Sequence, residues 1–235
     1  MIHSLIHPGS GLGNQLFRFV AGKVLAADKF DDYSAIGRDN FKGKSFMKLD
    51  FGPENSIKYH VEMPAGKIVI DDPLESFSDY IVDDEFQSPL YWGHRIDEVN
   101  DWLKVEPLDI SDDMCVIGFR GGEFYAFPEL GLSRGYFEEG VKLMKGKGIT
   151  KFEVHTDDPV FAKEIFPEYP IVHNIGINWR SMRYAKHAII ANSSFYILPR
   201  LLNGGVTIAP RYWARHNTKE WSRPDNHYKS FTYIG

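Results

Sequence analysis

The sequence contains a single cysteine, no long apolar run and no excess of positive charge. Cys115 alone cannot form an internal disulfide, which suits a reducing compartment. No segment approaches the roughly 18 consecutive apolar residues that indicate a membrane-spanning helix, and the opening MIHSLIHPGSG has too short an apolar core for a signal peptide. A formal net charge of -5 disfavours a nucleic-acid partner, which requires a basic face. We therefore expect a cytoplasmic protein with no membrane segment and no nucleic-acid partner.

The sequence also lacks the residue spacings of common metal sites. The chain has no Asp-x-Asp pair that would offer a divalent cation two neighbouring carboxylates, and its nine histidines lack the spacing of a zinc site. We therefore expect no metal and no cofactor.

The sequence does supply enough apolar residues, 43% of 235, for one or two packed cores. Short apolar runs alternate with helical patterns, most regularly in the second half, which is typical of parallel βαβ units. The expected fold is α/β, a doubly wound sheet with a ligand crevice beyond the carboxyl ends of its strands. A join near residues 105–113 predicts two lobes, 1–107 and 108–235. Expected strands are residues 2–6, 67–70, 114–119, 152–155, 188–191 and 206–209, and expected helices are about 15–27, 97–103, 133–147, 159–165, 180–186 and 195–202.

A glycine-rich loop follows the first expected strand, in the segment GSGLGNQLFRF. Gly9, Gly11 and Gly13 open a helix whose unpaired N–H groups can face an anion. The spacing nearly fits the dinucleotide fingerprint G-x-G-x-x-G, but Asn14 takes the sixth position. A tight strand-to-helix turn without any ligand is the alternative interpretation.

An arginine flanked by glycines follows the strand CVIGF. The planar fork of Arg120 can make two parallel charged hydrogen bonds to a pyrophosphate, and Gly121 and Gly122 leave room for the ligand. A surface ion pair is the alternative.

Two further strand ends carry polar residues. Asp157 and Asp158 end a strand and begin a helix, where an aspartate also serves as a helix cap. Asn192, Ser193 and Ser194 follow the strand AIIA and precede a helix. Hydroxyls and free N–H groups at a helix N-terminus form a phosphate cradle, although serine capping explains part of this pattern.

Taken in order, these segments resemble the α-1,2-fucosyltransferases of glycosyltransferase family 11. The matching segments are GLGNQLF, GFRGGEF, HTDDP, KHAIIANSSF and VTIAPRYW, within about residues 9–30 and 114–216. The resemblance implies a GT-B-like fold of two Rossmann-type lobes, with the donor site in the C-terminal lobe and the crevice between the lobes. It also implies a GDP-fucose donor, a glycan acceptor, inversion at the anomeric carbon and no metal.

The resemblance assigns roles by position. Arg120 would hold the β-phosphate of the donor. The other donor contacts it implies are Gly11, Gly13 and Asn14 in the first lobe and Asp157, Asp158, Ser193, Ser194 and Phe195 in the second.

Four positions depart from the family pattern. Gly118 stands where the family motif has histidine, and Gly121 where it has a second arginine. Glu123 replaces the aspartate of that motif and is the candidate general base, with a surface-loop glutamate as the alternative. Asn178 stands where these enzymes often place an aspartate for guanine.

The function expected from this resemblance is transfer of fucose from GDP-fucose to a sugar hydroxyl, in α-1,2 linkage to galactose. The alternatives are a transferase that uses another nucleotide sugar and a non-catalytic protein that binds sugars or nucleotides. Tyr91 and Trp92 would either stack on an acceptor sugar or pack in a core.

Overall fold

A computed structural model describes residues 1–54, 80–82, 86–122, 127, 130–212 and 228–235. The chain divides into two compact units, Met1–Lys104 and Val105–Gly235, and each unit has its own parallel sheet. The mixed α/β class is therefore confirmed. Among the described residues, no helix is both long and apolar enough to cross a membrane. The expected strand at residues 67–70 lies outside the described residues.

The first unit is a three-stranded parallel sheet in the order β2-β1-β3. Its strands are β1 (Ile2–Leu5), β2 (Tyr33–Ile36) and β3 (Tyr80–Val82), and its helices are α1 (Leu12–Lys29) and α2 (Ile96–Trp102). Short 3₁₀ turns cover Arg38–Asn40, Pro89–Tyr91 and Gly93–Arg95.

Helix α1 packs closely against β1. Leu16, Val20 and Val24 repeat at helical spacing and are fully buried, which contributes about 1.5–3 kcal/mol for each side chain. A Cβ at Gly22 would lie 2.0 Å from the hydroxyl oxygen of Ser4, so only glycine permits this approach. This packing fixes α1, which begins at Leu12 directly after the glycine-rich loop, against the sheet.

The second unit is a six-stranded parallel sheet in the order β6-β5-β4-β7-β8-β9. This is the 3-2-1-4-5-6 strand order of doubly wound sheets. Its strands are β4 (Met114–Phe119), β5 (Lys151–Thr156), β6 (Ile171–Val172), β7 (His187–Ile190), β8 (Val206–Pro210) and β9 (Phe231–Ile234). Its helices are α3 (Arg134–Gly146), α4 (Pro159–Ile165), α5 (Ile175–Tyr184) and α6 (Ser194–Asn203).

A buried arginine fixes the amino-terminal edge of this sheet. Arg200 is 1% exposed and donates to the carbonyl oxygens of Met182, Ala185 and Val206 and to the hydroxyl of Thr207. Burial lowers the pKa of Arg200 to about 10 and raises that of the nearby Cys115 thiol to about 12. Cys115 is thus a buried, protonated thiol.

Several elements differ from the sequence-based expectation. The helix expected at residues 180–186 begins earlier, because the Asn174 side chain accepts the Ile177 N–H and caps α5. The short strands β2, β3, β6 and β9 were not expected. β6 has only two residues, too few to produce a recognisable apolar run.

Candidate functional site

The candidate site lies where the strand order of the second sheet reverses. β4 and β7 are neighbours, and the chain proceeds from β4 to one side and from β7 to the other. The Ala191 N–H donates to the Gly118 carbonyl at 2.9 Å, which ties the end of β7 to β4. Arg120 follows β4, and the segment Asn192–Ser194 follows β7. Open α/β sheets bind ligands at this position.

Arg120 makes an ion pair with Asp157, which follows the adjacent strand β5. Nη1 of Arg120 lies 2.7 Å from Oδ2 of Asp157, and the Gly121 N–H donates to Oδ1 at 3.1 Å. The two side chains are 24% and 31% exposed, so the pair remains accessible to solvent. The sequence left open whether Arg120 faces a ligand or an ion-pair partner. In the structure it pairs with a carboxylate, and its side chain remains partly exposed to solvent.

The two glycines after Arg120 fit tightly against the loop that follows β5. A Cβ at Gly121 would lie 2.6 Å from Cβ of Asp158, and one at Gly122 would lie 2.7 Å from Oδ2 of Asp157. Asp158 accepts the Phe161 N–H and caps α4, as one of the two sequence interpretations expected. Packing within the protein therefore explains this glycine pair without a ligand.

Gly118 is similarly enclosed. A Cβ at this position would lie 2.9 Å from Cε of Met182 and 3.0 Å from the Tyr196 ring. The histidine that the family motif carries here has no space in this chain. Met182 and Tyr196 therefore occupy the space that a histidine side chain would need at position 118.

Two tyrosines that sequence reasoning missed support the strand ends. The Tyr196 hydroxyl lies 2.9 Å from the Phe119 carbonyl oxygen and 3.0 Å from that of His155, so it joins α6 to the ends of β4 and β5. The Tyr136 hydroxyl donates to the Ile190 carbonyl at the end of β7. Burial raises the pKa of both hydroxyls. No local sequence pattern marks such partners, because their acceptors are backbone groups distant along the chain.

The N-terminus of α6 offers backbone donors to the same edge of the sheet. Ser193 is the N-cap residue, and its side chain makes no capping hydrogen bond. Ser194 and Phe195 are half-buried, and their N–H groups lie in the first turn, where a helix provides no acceptor. Asn192 donates to the Leu130 carbonyl, and among the described residues its buried Oδ1 has no partner. The first turn of α6 therefore has N–H groups without helix acceptors, and the Ser193 hydroxyl is not used as a cap; the phosphate-binding role stays a prediction.

Asn178 lies in α5 and is hydrogen-bonded to the end of β5. Its side chain is buried, Nδ2 donates to the Thr156 carbonyl at 3.0 Å, and Oδ1 lies 3.0 Å from Nδ1 of His155. Both amide atoms of Asn178 are thus already hydrogen-bonded within the protein, and the guanine contact implied by the resemblance stays a prediction.

The first-unit residues of the expected site surround the start of α1. Gly11 is the N-cap residue, and a Cβ there would meet nothing within 4 Å, so the protein itself does not require glycine. Gly13 is buried in the first turn. Asn14 accepts a hydrogen bond from Nε2 of Gln87 at 3.3 Å. The open space at Gly11 leaves room for a ligand to approach the backbone there.

Gln15, which was not singled out from the sequence, organises the loops at this end of the first sheet. Its Nε2 donates to the carbonyls of His7 and Asn40, and its Oε1 accepts the Lys42 N–H. The segment GNQ therefore fixes the loops after β1 and β2 relative to each other.

Trp92 belongs to the core of the first unit. It is 1% exposed, packs against Phe17 and donates from Nε1 to the Phe86 carbonyl. The core interpretation is therefore the correct one for Trp92, and stacking on a sugar is not available to it. Tyr91 is partly buried against Phe86. Glu123 lies outside the described residues.

Within the described parts of the chain, no group of three or more potential metal ligands comes together. No protein-family model matches the chain, and no curated protein matches it significantly.

Proposed function

We propose that the chain is an inverting, metal-independent glycosyltransferase that moves fucose from GDP-fucose to a sugar hydroxyl, in α-1,2 linkage to galactose. The proposal includes the GT-B-like architecture that the motif resemblance implies. The observation that carries it is the meeting of Arg120 and the N-terminus of α6 at the reversal point of a doubly wound sheet. The Tyr196 hydroxyl, which contacts the carbonyl of the residue before Arg120, links the two.

In the proposed reaction, an acceptor hydroxyl oxygen attacks C1 of fucose. The bond between C1 and the phosphate oxygen breaks, and GDP leaves with the electron pair. Negative charge grows on the diphosphate during this step, so donors fixed near it stabilise the transition state more than the ground state. Arg120 and the N–H groups of Ser194 and Phe195 are those donors. The hydroxyl proton passes to a carboxylate, for which Glu123 is the candidate.

A transferase for a different nucleotide sugar is the second candidate, and a specific observation favours it. Gly118 and Gly121 are enclosed by Met182 and by Asp158, so neither position can acquire the polar side chain of the family motif without repacking. Arg120 is moreover shared with Asp157. This chain therefore places less net positive charge at the site than the family motif does. A non-catalytic nucleotide-binding protein is the remaining alternative.

A thermal-shift panel of GDP-fucose, GDP, GDP-mannose, UDP-glucose and CMP tests the proposal. A nucleotide at about 100 times its dissociation constant adds roughly 2.7 kcal/mol to the free energy of unfolding. We expect GDP and GDP-fucose to stabilise the parent protein and to lose this effect in Arg120→Ala. A response to a different nucleotide would support the second candidate. Binding of GDP-fucose without any transfer or hydrolysis would support the non-catalytic alternative.

A further inference from the structure

A buried histidine network supports the end of β5. His155 is fully buried, and each ring nitrogen has a hydrogen-bond partner: Nε2 lies 2.8 Å from Oε1 of Glu153, and Nδ1 lies 3.0 Å from Oδ1 of Asn178. Glu153 and His155 are two residues apart on one strand and so share a face of the sheet. Glu153 remains 31% exposed, whereas the histidine has no contact with solvent.

The orientation of the Asn178 amide determines which atom faces the histidine. Its other end lies 3.0 Å from the Thr156 carbonyl oxygen, which can only accept a hydrogen bond. The amino group must therefore face Thr156, and Oδ1 must face His155. Turning the amide over would place two oxygens against each other and lose a buried hydrogen bond.

Both partners of the imidazole are thus acceptors, and both ring nitrogens must carry a proton. We propose that His155 is a buried imidazolium, with the Glu153 carboxylate as its counter-charge, which through Asn178 and the Thr156 carbonyl positions the Asp157 carboxylate and thereby Arg120. His155 acts here as a positioning residue and not as a catalytic one. The hydrogen bond from His155 lowers the pKa of the Glu153 carboxyl, in agreement with a charged pair. The charge of His155 and its effect on Asp157 do not depend on the proposed function. Only the role of Arg120 in donor binding rests on that function.

The network reaches the site through the backbone. His155 and Thr156 directly precede Asp157, and the Thr156 carbonyl accepts from Nδ2 of Asn178. If Nδ1 of His155 lost its proton, its lone pair would face Oδ1 of Asn178. The amide would then turn over, and the Thr156 carbonyl would lose the hydrogen bond from Asn178. Because the Gly121 N–H is bonded to the Asp157 carboxylate, it reports any shift of this strand end.

Few other titratable groups face this histidine. Its register neighbours are Gly118 in β4 and Val172 in β6. Helix α6 contributes the Tyr196 hydroxyl, which contacts the His155 carbonyl. Among the described residues, the other titratable groups near this strand end include Glu153, Asp157, Asp158, Arg120 and His173, whose Nδ1 lies 3.1 Å from the Thr156 carbonyl oxygen.

Nitrogen-15 NMR of the ligand-free protein tests the proposal. We expect both ring nitrogens of His155 to bear protons near neutral pH. As the pH rises, the Gly121 amide signal should change with the same midpoint as the His155 ring signals. Glu153→Gln should move both transitions to lower pH together, because the protonated ring loses its counter-charge. Glu164→Gln, the same substitution at an exposed position of α4, should move neither.

A His155 ring with a single N–H throughout the pH range would overturn the assignment of charge. A Gly121 amide signal that does not change at the midpoint of the His155 ring signals would overturn the positioning role. Because these measurements use no nucleotide, their outcome is separate from the proposed function. Failure of every nucleotide sugar to bind, with the NMR results as expected, would count against the transferase alone.

Discussion

Arg120 and Asp157 form a pair in which one carboxylate holds both a guanidinium and the backbone beside it. Oδ2 of Asp157 lies 2.7 Å from Nη1 of Arg120, while Oδ1 accepts the Gly121 N–H at 3.1 Å. The carboxylate orients the arginine but also neutralises it. Under the proposed function, a donor phosphate would share the guanidinium with Asp157, whose negative charge would weaken the attraction between Arg120 and the phosphate.

We expect Asp157→Asn to tighten GDP binding about two- to fivefold, which corresponds to roughly 0.4–1 kcal/mol. The amide oxygen can still accept the Gly121 N–H, whereas the competing negative charge is removed. Calorimetry on the folded variant measures the change. Asp112→Asn, which removes an exposed carboxylate paired with Lys186, is the matched control and should leave affinity unchanged. Weaker GDP binding by Asp157→Asn would show that its charge is needed to hold Arg120 in place.

We expect Gly118→Ala to lower the free energy of unfolding by about 1–3 kcal/mol, because the added methyl overlaps Met182 and the Tyr196 ring. Gly118→His, which introduces the histidine of the motif that the sequence resembles, should destabilise more and gain no nucleotide affinity. Urea unfolding measures both variants. Gly146→Ala in α3 is the control, since a Cβ there meets nothing within 4 Å. An undiminished free energy of unfolding in Gly118→Ala would mean that the pocket around this glycine opens readily.

The regular part of the second unit was predictable because its strands are short apolar runs with clear ends. The Asp158–Pro159 pair correctly predicts the start of α4, since an aspartate cap and a proline in the first turn are local signals. The start of α5 was missed because Ile175 and Ile177 are exposed, so they gave no amphipathic pattern.

The partners of the candidate site residues could not be predicted from the sequence. Arg120 and Asp157 are separated by a helix and a strand, and only the parallel pairing of β4 with β5 brings them together. Gly118 and Gly121 looked like missing side chains in the sequence, but the atoms that fill their space belong to Met182, Tyr196 and Asp158. The sequence around each glycine does not indicate which distant residues pack against it.

Glu153 predicts a defined pH dependence of stability. The pKa of Glu153 in the folded protein is lowered from 4.5, chiefly by the hydrogen bond from His155. The ionised carboxylate therefore contributes its full stabilisation above about pH 4.5, the pKa of the unfolded state. The contribution is lost as the pH falls through the lowered pKa. We therefore expect Glu153→Gln to be less stable than the parent at neutral pH and the difference to vanish in acid. Denaturant unfolding across the pH range checks this, and a difference that does not shrink as the pH falls into acid would contradict it.

Turnover should survive an excess of chelator. The proposed partners of the diphosphate are the Arg120 guanidinium and the N–H groups at the start of α6, which supply the positive charge that a metal supplies elsewhere. Transfer assays with and without EDTA provide the measurement. Loss of all activity in EDTA, with recovery on addition of Mg²⁺ or Mn²⁺, would contradict the metal-independent mechanism.

Arg120→Ala should abolish nearly all transfer while the protein stays folded. The side chain is 24% exposed and its ion pair is accessible to solvent, so its removal changes stability little. Loss of one fixed donor to developing charge typically costs about 2.7–4 kcal/mol, or roughly 10²–10³ in rate. Arg120→Lys should restore little, because lysine keeps the charge but not the planar fork.

Steady-state kinetics with GDP-fucose separate the two effects of Arg120. The phosphate charge grows during bond cleavage, so the loss should appear in kcat as well as in donor affinity. Arg134→Ala is the matched control, because that arginine is exposed and pairs with Glu138 on α3. A kcat of Arg120→Ala within about threefold of the parent, at an unchanged melting temperature, would show that Arg120 does not act on the donor phosphates.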